Sequence, residues 1–223
     1  MNIEILYRPS YSLAVVNLAA NEKIRSDSGA MVSVQNASIE TKMEGGLFKA
    51  LGRSILGGES MFQNFWVAGP AGGEITLAPD LPGDVFLLEL MGETYMVQAG
   101  SYLASEMGIE LNTKISMKAF VAAEGISMLE ASGSGKLLLS SYGAIHEKVL
   151  AAGEKYTVDT SHLVAFNAAM NVERKTVGGA KSTFLSGEGL VVELTGPGKL
   201  MLQTRSQRAF LDWLIPNIPS KSS

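Results

Sequence analysis

Apolar and polar residues alternate along most of the chain in short runs, separated by bends rich in glycine, asparagine and aspartate. A period of two is that of a half-buried β-strand, and the bends punctuate strands. The pattern itself recurs. EKIRSDSGAMVS (22–33), ETYMVQAGSYLA (93–104) and EKYTVDTSHLVA (154–165) align without gaps, so that Glu22, Glu93 and Glu154 stand 71 and 61 residues apart. Each gives a glutamate, two apolar residues two apart, a polar turn, and a second apolar run.

A second signature follows each copy of the first. It runs from Gly57 to Leu77, from Glu124 to Leu139 and from Glu188 to Leu202. In the last two copies Gly133, Gly135, Lys136, Leu137 and Leu139 match Gly196, Gly198, Lys199, Leu200 and Leu202 at a separation of 63. Alternating apolar residues around a glycine-rich bend predict a half-buried hairpin, with Ile75 and Leu77, Leu137 and Leu139, and Leu200 and Leu202 pointing inward. Internal repetition at a fixed period means one structural unit used several times. The units run over about 10–80, 81–143 and 144–206, each about 65 residues long, with no Pro- or Ser-rich linker between them. The expectation is one compact body over 1–223: three tandem β-sandwich units around a pseudo-three-fold axis, with a short helical insert and a short C-terminal helix.

Two segments depart from the strand period. Between glycine pairs, Leu47, Phe48, Leu51 and Ile55 fall on one helical face with Lys49 and Arg53 opposite, which predicts an amphipathic helix over 45–58. These six residues are the candidate interaction surface, either as a cap on the core or as a contact with another surface. The tail at 206–216 predicts one or two helical turns, with Ser206 as N-cap and Pro216 as stop. Its Phe210 and Trp213 are expected to plug the base of the body.

Composition narrows the chemistry. The chain has no cysteine, which excludes disulfides, thiolate metal sites and cysteine nucleophiles. A net charge of −4 gives no general attraction to nucleic acid or anionic lipid. Glu89 and Glu93 interrupt the greasiest stretch, so a membrane-spanning helix is not expected. The first residues lack the basic and apolar regions of a signal peptide, and the chain reads as cytoplasmic.

Four constellations invite a functional reading. Glu59, Glu124 and Glu188, one per unit beside a glycine, could converge on an axis and attract a hard cation; the plainer alternative is that each accepts backbone N–H groups at its bend. Asp27, Gln98 and Asp159 occupy equivalent turn positions, where local backbone bonding explains an aspartate. His146 and His162 are the two histidines available to a catalytic triad, and His162 sits in a bend whose counterparts have none. Lys114 with Lys118, Arg174 with Lys175, and Arg205 with Arg208 are cations without interleaved aromatics to stack bases. No cofactor is expected, and no catalytic residue is assigned.

The run from Gly57-Gly-Glu-Ser through Pro82-Gly-Asp, with Gly143, Ser186-Gly-Glu-Gly and the Gly196-to-Arg205 stretch GPGKLMLQTR, resembles the altered-inheritance-of-mitochondria family. The likeness covers about Tyr11 to Arg205. It implies a triplicated β structure whose units look like the subunit of the tryptophan RNA-binding attenuator protein. Its functional implication is thin: a fungal mitochondrial member tied to inner-membrane organisation, and prokaryotic members without a settled activity. The resulting expectation is a non-enzymatic scaffold or interaction protein, a homo-oligomer with peripheral membrane contact and an unknown protein partner. The alternatives are a small-molecule or metal-binding β protein and, behind it, an RNA-binding one, although nucleic acid is not the expected partner.

Overall fold

A computed structural model of the chain describes residues 1–40, 63–113, 127–175 and 191–218. Strand β1 (Asn2–Leu6) leads into a first run of β2 (Leu13–Leu18), β3 (Lys23–Asp27), β4 (Met31–Gln35), β5 (Ala37–Ile39), β6 (Gln63–Ala68) and β7 (Gly73–Leu77). The second run has β8 (Val85–Met91), β9 (Tyr95–Gln98), β10 (Tyr102–Glu106), β11 (Ile109–Thr113) and the long β12 (Met128–Ser140). The third has β13 (Ile145–Leu150), β14 (Lys155–Asp159), β15 (Leu163–Asn167), β16 (Asn171–Lys175), β17 (Val191–Thr195) and β18 (Gly198–Gln203), and helix α1 (Gln207–Asn217) closes the chain. The fold is all-β with a short terminal helix, as the period of two requires.

Four antiparallel pairings recur in the runs. The first strand pairs with the last, in β2 with β7, β8 with β12 and β13 with β18. The second pairs with the fifth, in β3 with β6, β9 with β12 and β14 with β17. The third pairs with the last, in β4 with β7, β10 with β12 and β15 with β18. The fourth pairs with the fifth, in β5 with β6, β11 with β12 and β16 with β17. In the middle run β12 serves as both fifth and last strand, changing partners at Gly133–Gly135.

The expected hairpins are therefore not hairpins. β6 and β7 lie in different sheets, as do β17 and β18. The glycine-rich bend carries the chain from one sheet into another, because the alternating faces on either side need different partners. Five of the six residues expected to point inward do so: Ile75, Leu77, Leu137, Leu139 and Leu200 are fully buried, while Leu202 is half-buried.

Adjacent runs are joined edge to edge. β10 pairs with β3 and β15 with β9, which fuses strands of all three runs into one eleven-stranded sheet. The core follows these joints. Leu103 and Ala104 of β10 pack into the cluster built on Val16, Ile24, Trp66 and Ile75. Val164 and Ala165 of β15 pack into the cluster built on Leu129 and Leu137. Removing such side chains from water contributes about 1.5–3 kcal/mol for each larger one, so every joint is also a core contact.

Candidate functional site

The three Glu that open the repeated segments do the same local work. Glu22 accepts the N–H of Ala19 at 2.8 Å, Glu93 that of Met91 at 2.7 Å and Glu154 that of Ala151 at 2.9 Å. Each lies just past a residue of positive φ: Asn21 at 60°, Gly92 at 106° and Gly153 at 76°. The carboxylate closes a tight turn before the next strand. These glutamates are turn residues, with their pKa values held low by backbone N–H groups at Glu93 and Glu154.

At the crossovers between runs, backbone meets backbone. The N–H of Gly143 donates to Pro82 O at 3.0 Å, that of Asp84 to Gly143 O at 2.9 Å, and that of Ser141 to Asp84 O at 3.0 Å. A Cβ on Gly83 would sit 1.6 Å from Ser141 O, so this position admits only glycine. The third crossover joins them: Ala144 N–H donates to Thr204 Oγ1 at 2.9 Å and Arg205 N–H to Tyr142 O at 3.2 Å. Inside this stack the buried Asp84 carboxylate accepts from Arg8 Nε and Nη2, both at 2.9 Å, from Ser12 Oγ at 2.7 Å and from Val85 N–H at 2.9 Å. Burial works against its charge, yet the Arg8 and Ser12 hydrogen bonds and the Arg8 charge outweigh it and hold the pKa below the usual carboxylate value.

Beside this stack lies a cleft of about 620 Å³ between the bends that follow β3, β9 and β14 and the inner face of α1. Asp27, Gln98 and Ser161 bring one bend each to it, and Arg208, Leu211 and Asp212 supply the helix wall. Burial, together with the charge of Asp80, pushes the Asp27 carboxyl up to about 6 despite a hydrogen bond from the Ser28 N–H. Asp159, in the corresponding turn, accepts from Ser161 N–H at 2.8 Å and caps a 3₁₀ turn over Thr160–His162. The turn chemistry expected for Asp27 and Asp159 is present; the gathering of Asp27, Gln98 and Ser161 around one cleft was not foreseen, because only the joints bring the bends together.

His146 and His162 line a second groove of about 350 Å³ with Tyr156 and Asp159. His162 Nδ1 lies 2.8 Å from Gln203 O, and the Gln203 side chain bridges Tyr142 N–H at 2.9 Å and Ser161 O at 2.9 Å. His162 is thus tied into backbone architecture. Glu59, Glu124 and Glu188, and the insert residues Leu47, Phe48, Lys49, Leu51, Arg53 and Ile55, fall outside the described residues, as do Lys114 and Lys118. Among the described residues no group of three or more His, Asp or Glu is arranged to hold a metal. Lys175 lies 3.4 Å from both Glu173 and Glu193.

The C-terminal helix corrects an expectation. It spans eleven residues rather than one or two turns, with Ser206 Oγ accepting Ala209 N–H at 3.2 Å as N-cap and Pro216 inside its last turn. None of its residues is buried. Phe210 and Trp213 do not plug the body: they are 37% and 63% exposed, since the core clusters are already filled by strand residues. Tyr142 meets Phe210 edge-on with ring centroids 6.1 Å apart, and Phe210 lies at the same distance from Trp213 on the helix.

An all-β body with four recurrent strand pairings, closed at glycine-tight crossovers, defines the class of protein. The family model Mitochondrial biogenesis AIM24 matches residues 3–205, and the chain belongs to that family. An uncharacterized protein of Streptococcus pyogenes serotype M6 is 28% identical over 223 residues, spanning 96% of this chain and 89% of its own. A Verticillium alfalfae protein named altered inheritance of mitochondria protein 24, mitochondrial, is 28% identical over 172 residues, and the match spans 75% of this chain and 44% of the fungal one. A crystal structure of a Streptococcus pyogenes protein superposes with a TM-score of 0.80 at 26% identity, covering 97% of this chain and 99% of that one. Pro82, Gly83, Asp84, Gly143, Thr204 and Arg205, which lie in the stretches that resemble the family, meet in the crossover stack, where close backbone approach accounts for the glycines.

Proposed function

We propose that this chain is a non-enzymatic interaction protein, a rigid β body that holds its C-terminal helix outward to dock at a membrane surface. The observation that carries the reading is the aromatic side of α1: Phe210 and Trp213, three residues apart and therefore on one helical face, are 37% and 63% exposed. A helix of this length is marginal alone. Here the Ser206 cap and the Tyr142 contact fix it, so the body presents its aromatic side chains already ordered. Trp and Phe beside one Arg and one Asp suit the interface between headgroups and acyl chains, where amphipathic rings settle. No helix among the described residues is long and apolar enough to cross a membrane.

We further read the body as one unit in three copies, supported by the four recurrent pairings and the three equivalent glutamate turns. Flotation of the full chain with neutral and with anionic phospholipid vesicles tests the docking. Co-flotation that falls when Phe210 and Trp213 are both replaced by Ser, with thermal stability unchanged, is the expected result. A chain that stays at the bottom of the gradient with both vesicle types overturns it.

A second reading, small-molecule binding, is favoured by the polar cleft at Asp27. Its carboxyls suit an amine-bearing ligand, which pairs with Asp27 once that group ionises. Calorimetric titration with small polyamines, compared between the native chain and Asp27→Asn, separates this reading from the first.

A further inference from the structure

The joints between runs follow one rule, and the rule leaves two strands over. At the first joint Ala104 pairs with Ser26, Ser105 with Arg25 and Glu106 with Ile24. At the second Ala165 pairs with Val97, Phe166 with Met96 and Asn167 with Tyr95. Shifting the first joint by the 71 and 61 residues that separate the aligned segments reproduces the second residue for residue. The same shift defines a third joint, Ser33 with Val158, Val34 with Thr157 and Gln35 with Tyr156. Among the described residues those strands have no such partner: β4 ends a four-stranded sheet and β14 ends a three-stranded one.

Exposure says the same. At the used joints Leu103 and Val164 are 2% and 0% exposed, whereas the residue aligned with them on β4, Val32, is 58% exposed and its neighbour Val34 42%. All five residues of β4 are exposed. Native sheets blunt such edges with charge, proline or brevity. The edge strands β1, β13 and β16 carry charged residues and β5 is three residues long, but β4, MVSVQ, has none of these defences. The central Tyr156, Thr157 and Val158 of β14 are likewise uncharged, and they line the 350 Å³ groove together with Leu202. Leu202 is the residue whose counterparts Leu77 and Leu139 are fully buried.

We infer that β4 of one chain adds as an antiparallel strand to β14 of a second copy, in the register of the two internal joints, so that chains assemble head to tail. The occupant is a second copy because the chain already makes this joint twice with itself. Backbone hydrogen bonds supply the attachment and the groove receives the side chains of β4. Such a heterologous contact yields a ring if the rotation closes and a filament if it does not. This inference is independent of the membrane reading, since neither strand belongs to α1.

The test is sedimentation velocity on the full chain between about 1 µM and about 1 mM. Val34→Lys and Thr157→Lys each place a cation on an exposed position of one edge, so folding is spared, which unchanged thermal melts verify. The native chain is expected to form oligomers. Either variant alone is expected to sediment as a single chain. An equimolar mixture, with one intact β4 and one intact β14 between the two variants, is expected to stop at the dimer, and Val34→Lys with Thr157→Glu in one chain to regain native assembly. A native chain that stays single throughout, oligomers that survive both single variants, or a mixture that gives no dimer overturns the proposal.

Discussion

Arg8 grips Asp84 through two hydrogen bonds of 2.9 Å across 76 residues of sequence, and the carboxylate they share is 3% exposed while the guanidinium is 48% exposed. The pair therefore fastens the N-terminal segment to the crossover stack with the acid on the inside. Loss of either partner has unequal consequences, because only one of them is stranded away from water.

Asp84→Ala leaves Ser12, Val85 N–H and Arg8 without their acceptor, and the expected loss is about 3–5 kcal/mol of unfolding free energy in urea. Arg8→Ala, which leaves the Ser12 and Val85 bonds in place, costs less. Because the Asp84 pKa is depressed in the folded chain, its stabilisation is complete above the ordinary carboxylate value and lost as pH falls through the folded value. Asp84→Asn accordingly flattens the acid side of the stability profile.

Gly83→Ala drives a Cβ to 1.6 Å from Ser141 O, with backbone on both sides of the clash. The crossovers must separate, and the expected cost exceeds about 4 kcal/mol or prevents folding. Gly153→Ala is the control: its φ of 76° is unfavourable for alanine, yet nothing lies within 4 Å. Its expected cost is about 1 kcal/mol, read as a small shift in thermal midpoint.

Asp27 carries the opposite linkage to Asp84. Its folded pKa of about 6 lies above the unfolded value, so the folded state binds more protons between the two and stability falls as pH rises through that window. Asp27→Asn keeps an acceptor for the Ser28 N–H and removes the charge. It is expected to stabilise the chain by about 1–2 kcal/mol at pH 7.5, after allowance for solvent screening, and by nothing at pH 4. Equal gain at both values would contradict the buried-charge account.

Arg25 sits half-buried at the first joint, its buried Nε and Nη2 meeting no hydrogen-bond partner among the described residues, and burial lowers its pKa. Replacing a cation whose buried nitrogens go unsatisfied by an apolar side chain of similar length is neutral or stabilising. Arg25→Met is expected to raise the denaturation midpoint, with a gain of about 1–3 kcal/mol; a loss of that size would assign Arg25 a partner beyond the described residues.

The sequence by itself determined the strands, the bends and their recurrence, because a period of two and a turn glycine are local properties of a few neighbouring residues. Glu22, Glu93 and Glu154 were legible as equivalents for that reason, and so was Ser206 as a cap. It also carried the family likeness through Pro82-Gly-Asp and Gly143, without the reason for those residues. Only the tertiary structure decided that Asp84 is a buried anchor, since its partner lies 76 positions away and the spacing has no period. Pairing register, likewise, is set between strands rather than within them. It alone separated β6 from β7 into different sheets, brought Asp27, Gln98 and Ser161 around one cleft, and left β4 and β14 at sheet edges among the described residues. The exposure of Trp213 belongs to the same class: an apolar stripe on a helix says that it needs a partner, and whether the body supplies one depends on how much core the strands have already filled.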